Sequence, residues 1–247
     1  MKRFPLNRKQ ALITVMDPRI IHMNTESLLP LLRLFQLVSP SLPVGAYSYS
    51  QGLEWAVEEA WVTNEETASG WIEELLRHSL VSTEGPVLIR LSHSWRAGDR
   101  DALVFWNQFI LATRETHELH NEDQFMGRAL ANVLEGLDVT WPYQNEPAVM
   151  AFVTPYSLAA FNWGISADKM VTGYFWGWLE NQVLAAMKLI PLGQQAGQRI
   201  LFNLSQSIPG CVEAAFEIDD NAIGGSMPLW AIASSRHEIQ YSRLFRS

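Results

Sequence analysis

The stretch MVTGYFWGWLENQVLAAMKLIPLGQQAGQR, from Met170 to Arg199, decides the fold. Up to Ile190 its apolar residues recur at the i, i+3, i+4, i+7 spacing of one helix face, and the opposite face is nearly as apolar. Small side chains follow at four-residue intervals, at Gly173, Gly177, Asn181 and Ala185. We therefore expect a helix that is buried on both sides, closely approached by a second helix, and able to support self-association as a homodimer.

A membrane span is the competing interpretation of this apolar helix, because about 20 apolar residues cross a bilayer. Glu180, Asn181 and Gln182 lie at its middle, and a carboxylate at that depth costs roughly 2.5 kcal/mol or more. We therefore predict no membrane contact. Pro191 lacks an N–H group and disfavours helical geometry at Ile190, so the helix should end there.

Beyond Pro191 the chain carries amide side chains between two glycines, including Gln194 and Gln195. Amides offer hydrogen-bond donors and acceptors without charge. The segment is either a polar helix start on the surface or a hydrogen-bonding surface for a protein partner. In the second interpretation Lys188 and Arg199 flank it.

Composition limits the function classes that remain. The 247 residues are 48% hydrophobic and 18% charged, which is ample for a core. A net charge of −8 without a basic cluster argues against a nucleic-acid partner. The single cysteine, Cys211, excludes an internal disulfide and fits a reducing compartment. Residues 1–25 differ from the rest and are expected to form a flexible extension.

The remainder, residues 26–247, is predicted to be an all-α, single-domain bundle of about eight to ten antiparallel helices with short loops. Capping boxes are expected at Ser48/Gln51 and Thr63/Glu66, and a turn at 208–210. The helical segments expected from periodicity are Glu26–Val38, Trp55–Ala60, about 68–82, Glu84–Arg96, Arg100–Leu137, Ala148–Trp163, Cys211–Phe216 and Trp230–His237.

The chain contains none of the common catalytic or nucleotide-binding motifs. No phosphate-binding loop, dinucleotide fingerprint, nucleophile elbow or H-E-x-x-H motif occurs, so we expect neither an enzyme nor a cofactor. His117 and His120 share a helix face and allow two-point metal contact. The same string also fits a solvated, charged helix face, since metal sites usually need three or four ligands. A helical enzyme with an unrecognised site is the remaining alternative.

Two further segments are candidates for contact with a partner. The loop from Ser39 to Gln51 is rich in hydroxyls and aromatics, and it is either a packed connector or an ordered contact loop. The C-terminal tail, residues 236–247, alternates arginines with Tyr241, Leu244 and Phe245. Arginine and aromatic residues anchor interfaces, so the tail docks either on its own domain or on a partner.

Three stretches together resemble the F-type urease accessory proteins. They are LFQLVSPSLPVGAYSYSQGLEWAVE (34–58), WLENQVLAAMKLIPLGQQAGQR (178–199) and RHEIQYSRLFRS (236–247). The segment THELHNEDQFMG (116–127) resembles the family's central segment more loosely. The resemblance extends over about residues 28–247.

This resemblance implies a cytoplasmic, all-helical, dimeric protein without enzymatic activity. Such a protein would act as a scaffold or chaperone that helps insert nickel into apo-urease, together with a D-type (or H-type) accessory protein and a G-type accessory GTPase. It further implies that the tail docks to the D-type partner, through Tyr241, Arg243, Leu244, Phe245 and Arg246. On side-chain chemistry, we assign Lys188, Gln194, Gln195 and Arg199 to the GTPase side. The alternative function is a metallochaperone that binds nickel through His117 and His120.

Overall fold

The computed structural model describes residues 25–143, 147 and 149–247, and within them the chain is helical with no β-strand. The α-helices are α1 (Thr25–Val38), α2 (Leu53–Glu58), α3 (Glu65–Leu75), α4 (Glu84–Ala97), α5 (Arg100–Ala112), α6 (His117–Glu135), α7 (Val153–Asn162), α8 (Ala167–Leu189), α9 (Gln194–Ser205), α10 (Ile208–Phe216) and α11 (Pro228–His237). The predicted all-α, single-domain fold is confirmed. The first 24 residues of the expected N-terminal extension lie outside the described residues.

Helix α8 is the centre of the bundle, as its sequence predicts. It packs against α1, α4, α9 and α10, and Phe175 and Leu179 are completely buried. Gly173 lets α1 approach closely, because a Cβ atom there would lie 2.5 Å from Leu34 Cδ1. The helix ends at Leu189, before Pro191, as predicted. Among the described residues, no helix combines the length and the hydropathy needed to cross a bilayer.

Three helix starts differ from those predicted from the sequence. The apolar pattern over 100–137 forms two helices, because the Thr116 side chain accepts a hydrogen bond from the backbone N–H of Leu119 (3.2 Å) and starts α6 afresh. The second capping box lies one residue later than predicted, at Asn64 and Thr67. Helix α7 begins only at Val153, five residues later than expected.

Two further differences concern a proline and a glycine. Pro209 lies in the first turn of α10, where its missing N–H costs nothing, so the expected turn at 208–210 is helical. The capping box expected at Ser48 and Gln51 does not form, because Gly52 with a φ of 82° precedes α2. A Cβ atom on Gly52 would lie 2.8 Å from the Ser234 backbone nitrogen, so this glycine allows α2 to start against α11.

Candidate partner-docking site

The chain beyond α11 folds back over its own domain. We call residues 243–247 the C-terminal segment. The backbone N–H of Arg246 donates to the Ser48 carbonyl oxygen (2.8 Å), and the main-chain oxygen of Ser247 accepts from Ser50 Oγ (2.7 Å) and from the backbone N–H of Gln51 (2.9 Å). The first of the two alternatives, docking on its own domain, therefore describes this segment in the isolated chain.

Carboxylates on the domain side of the C-terminal segment bind its backbone and side chains. Glu54 on α2 accepts hydrogen bonds from the backbone N–H groups of Leu244 (2.6 Å) and Phe245 (2.8 Å). Its second oxygen also lies 3.2 Å from Nε2 of His237, which is completely buried. Nδ1 of His237 lies 2.6 Å from Glu118 of α6, and Glu118 also pairs with Arg243. Residues of α2, α6 and α11 thus contact the segment through one network of charged and polar side chains.

A third carboxylate, that of Glu122 on α6, joins the end of the segment to Gln51. It accepts from Ser247 Oγ (2.6 Å) and from Gln51 Nε2 (2.7 Å). The carbonyl oxygen and amide oxygen of Gln51 accept in turn from the indole N–H groups of Trp230 (2.7 Å) and Trp178 (2.8 Å). Burial raises the pKa of Glu122 to about 7, although its two hydrogen bonds lower it.

Sequence reasoning missed the polar residues beneath the segment. The sequence pattern predicts a helix cap at Gln51 and assigns no role to Glu54, Glu122 or His237. Each is buried or half-buried only because residues far away in sequence fold over it. The one local signal was a carboxylate among apolar residues in LEWAVE (53–58), which alone does not identify a partner.

The predicted tail residues divide between an inner and an outer face. Phe245 is buried against the domain. Tyr241 is fully exposed and Leu244 is 67% exposed. Arg243 is half-exposed while it pairs with Glu118, and Arg246 is exposed. The outer face therefore offers an aromatic ring and an aliphatic side chain to solvent, beside two arginines that also contact the domain, Arg243 at Glu118 and Arg246 at Tyr49.

Lys188 lies beside the tail, in contact with one of its residues. Its Nζ atom is 5.3 Å from the centroid of the Phe245 ring and 5.9 Å from that of Tyr47. A cation over an aromatic ring is stabilised by the ring quadrupole. The structure thus joins Lys188, the 39–51 loop and the tail, and this loop is both a packed connector and, through Tyr47, part of the surface.

The other residues assigned to the GTPase side lie along α9. Gln194 and Gln195 are exposed in its first turn. Arg199 forms a bidentate salt bridge with Glu65 of α3 on the surface, with Nε 2.8 Å from Oε1 and Nη2 2.6 Å from Oε2. Arg199 therefore already has an intramolecular partner, whereas the two glutamines face solvent.

The geometry around the two candidate metal-binding histidines does not favour a metal site. His120 Nδ1 lies 2.7 Å from the side-chain nitrogen of Gln124, and His117 is exposed. In the part of the chain that the structure describes, no three His, Cys, Asp or Glu side chains are grouped so as to hold a metal ion.

Comparison with known proteins identifies the family of this chain. Residues 62–205 match the UreF family model. The chain is 44% identical over 217 residues to the urease accessory protein UreF of Alkalilimnicola ehrlichii, covering 87% of this chain and 95% of that protein. It is 46% identical to the protein of the same name from Alcanivorax borkumensis (87% and 97% covered) and 47% identical to that from Azoarcus sp. strain BH72 (89% and 97%). The chain therefore belongs to the UreF family of urease accessory proteins.

Proposed function

We propose that this chain is a non-enzymatic scaffold of urease maturation in the cytoplasm. It binds the D/H-type accessory protein and the G-type accessory GTPase at once, brings them to apo-urease, and modulates GTP-dependent nickel insertion. Family membership supports the role in urease maturation. The absence of any nucleotide-binding motif in the sequence supports placing GTP on the partner.

The outer face of the tail is our proposed surface for the D/H-type protein. Tyr241 and Leu244 are large side chains left in solvent beside Arg243 and Arg246, on a chain whose net charge is −8. Exposed aromatic and arginine side chains are the usual anchors of protein interfaces. The complementary partner surface would be an apolar pocket bordered by carboxylates.

The proposed GTPase surface extends from Lys188 through the start of α9. Gln194 and Gln195 support this assignment best, because both side chains are exposed. They are also the best residues for a test, because substituting them leaves the described ion pairs intact. Lys188 contacts the tail and Arg199 contacts Glu65, so substitutions there also disturb the domain itself.

The sequence analysis based self-association on α8, but other helices of the domain cover α8. Self-association is therefore proposed to use the outer face of α1. Leu29, Leu32 and Phe35 are 51%, 59% and 57% exposed, and they lie at i, i+3 and i+6 on one helix. A continuous apolar stripe of this kind on a surface marks an interaction site. Light scattering of Leu32→Glu should report a monomer where the parent chain is a dimer.

The test of the scaffold is co-purification with the two partners, read by size exclusion with light scattering. The Tyr241→Ala, Leu244→Ala double variant should lose the D/H-type protein and keep its helical content. Gln194→Ala, Gln195→Ala should lose the GTPase only. Phe105→Ala is the matched control, because this aromatic is 55% exposed on α5. Normal assembly of both double variants would refute the surface assignments.

A further inference from the structure

Glu122 differs from Glu118 because no ion pair joins it to a lysine or arginine among the described residues. Arg114 is shared between Glu84 (2.6 Å) and Asp123 (2.8 Å), and it is itself largely buried. Glu118 has Arg243 and His237. An ionised Glu122 would therefore add a second uncompensated negative charge to the interior around Arg114, which low dielectric makes costly.

A water-accessible route leads to this carboxyl group. A cavity of about 130 Å³ is lined both by exposed residues, Pro40 and Leu184, and by the buried side chains of Glu84 and Glu122. Glu84 Oε2 has no hydrogen-bond partner among the described residues, which fits a hydrated cavity. Protons can therefore reach Glu122 without unfolding of the domain.

The charged and titratable groups around Glu122 come from several packed elements. They are Glu118 and Asp123 on α6, Arg114 before it, Glu84 on α4, Tyr174 on α8, Tyr49 in the 39–51 loop region, Glu54 on α2, and His237 with Arg243 and Arg246 on the tail side. Any pH response of the tail must therefore be separated from that of the other groups in this set.

We propose that Glu122 is a proton-controlled latch for the C-terminal segment: the segment is held most tightly when Glu122 is protonated and is released more readily when it ionises. The protonated carboxyl keeps both contacts, because the Ser247 hydroxyl can accept as well as donate and the Gln51 amide still donates to the other oxygen. Release of the segment exposes the Ser247 side of Glu122 to bulk water in addition to the cavity, which stabilises the ionised form.

The sign and size of the effect follow from linkage. The docked state holds a proton up to about pH 7, whereas a fully solvated glutamate loses it near 4.5. Docking is therefore favoured at low pH and weakens as the pH rises through this interval. If release restored the ordinary pKa completely, the docking equilibrium constant would fall about 70-fold between pH 5 and pH 8. The measured fall should be smaller than this, since α6 and α8 keep part of the burial after release.

Hydrogen exchange of the Leu244 and Phe245 amides, which donate to Glu54, measures docking in the full chain without any partner. Rates at pH 5 to 8 are divided by those of the free peptide 241–247 to remove the intrinsic pH dependence. Protection should fall with pH in the parent chain and in Glu135→Gln, an exposed control on α6, but stay constant in Glu122→Gln. Equal slopes in Glu122→Gln and the parent would assign the response to another group and overturn the proposal, as would a flat parent profile.

A second measurement covers the case in which Glu122→Gln does not fold. Carbon-13 NMR titration of the glutamate carboxyl groups compares the parent chain with Phe245→Ala, which weakens docking without touching Glu122. The Glu122 midpoint should be lower in Phe245→Ala. Identical midpoints would show that the segment does not control this proton and would overturn the proposal. Neither measurement involves the accessory partners, so its outcome is independent of the proposed scaffold function.

Discussion

Replacing Glu54 by glutamine tests whether the C-terminal segment is anchored by a carboxylate. The two oxygens accept from consecutive backbone N–H groups, those of Leu244 and Phe245. Glutamine keeps one acceptor and turns an NH₂ group towards a donor. Hydrogen bonds to a charged group contribute about 1.5–3 kcal/mol each, and an unpaired buried donor costs about 1–3 kcal/mol.

The segment can nevertheless escape part of this cost by leaving its site, after which water satisfies the N–H groups. The substitution Glu54→Gln can therefore lower the free energy of unfolding by no more than the free energy of docking. Its main effect is a smaller population of molecules with the segment docked. A weakening of about 2 kcal/mol increases the released fraction about 30-fold. Cleavage of the Arg243–Leu244 bond by trypsin should accelerate by a similar factor, because cleavage follows the open population.

The assay is a trypsin time course read by intact mass, together with urea unfolding. Glu59→Gln is the matched control, since Glu59 directly follows α2, the helix of Glu54, but its side chain is exposed. Its cleavage rate and unfolding midpoint should equal those of the parent. If Glu54→Gln is also cleaved within about twofold of the parent rate, Glu54 does not anchor the segment and the reasoning fails.

Three further predictions concern the rest of the domain. Gly127→Ala should lower the free energy of unfolding by about 1–3 kcal/mol in urea titration, because its Cβ atom would lie 2.1 Å from the Met150 carbonyl oxygen; an unchanged midpoint would contradict this packing. Because the folded-state pKa of Glu122 is raised to about 7, stability should fall as the pH rises from 4.5 to 7, by at most about 3 kcal/mol, and Glu122→Gln should remove that part of the slope; an unaltered slope in the variant counts against it. Equilibrium dialysis with nickel should give the same result for the parent and for His117→Ala, His120→Ala, and a stoichiometric site lost in the variant would restore the metallochaperone alternative.

The architecture could be predicted from local patterns because those patterns are physically local. Helix α8 is apolar around its whole circumference, so it had to be buried whatever surrounds it, and Pro191 ends it through its missing N–H. The predicted helix start was wrong where two neighbouring residues could both serve as the N-cap, as at Thr63 and Asn64. The choice between them depends on backbone geometry that the sequence pattern does not contain.

The candidate site required the tertiary structure. The sequence by itself determined an all-α chain, an exposed amide-rich start of α9 and a tail of arginines and aromatics. Only the fold decided that Phe245 faces inward while Tyr241 and Leu244 face outward, and that Lys188 lies over the Phe245 ring. It also placed Glu54 beneath residues about 190 positions further along the chain. Burial of a charge is a property of its three-dimensional surroundings, so helical periodicity could not reveal it.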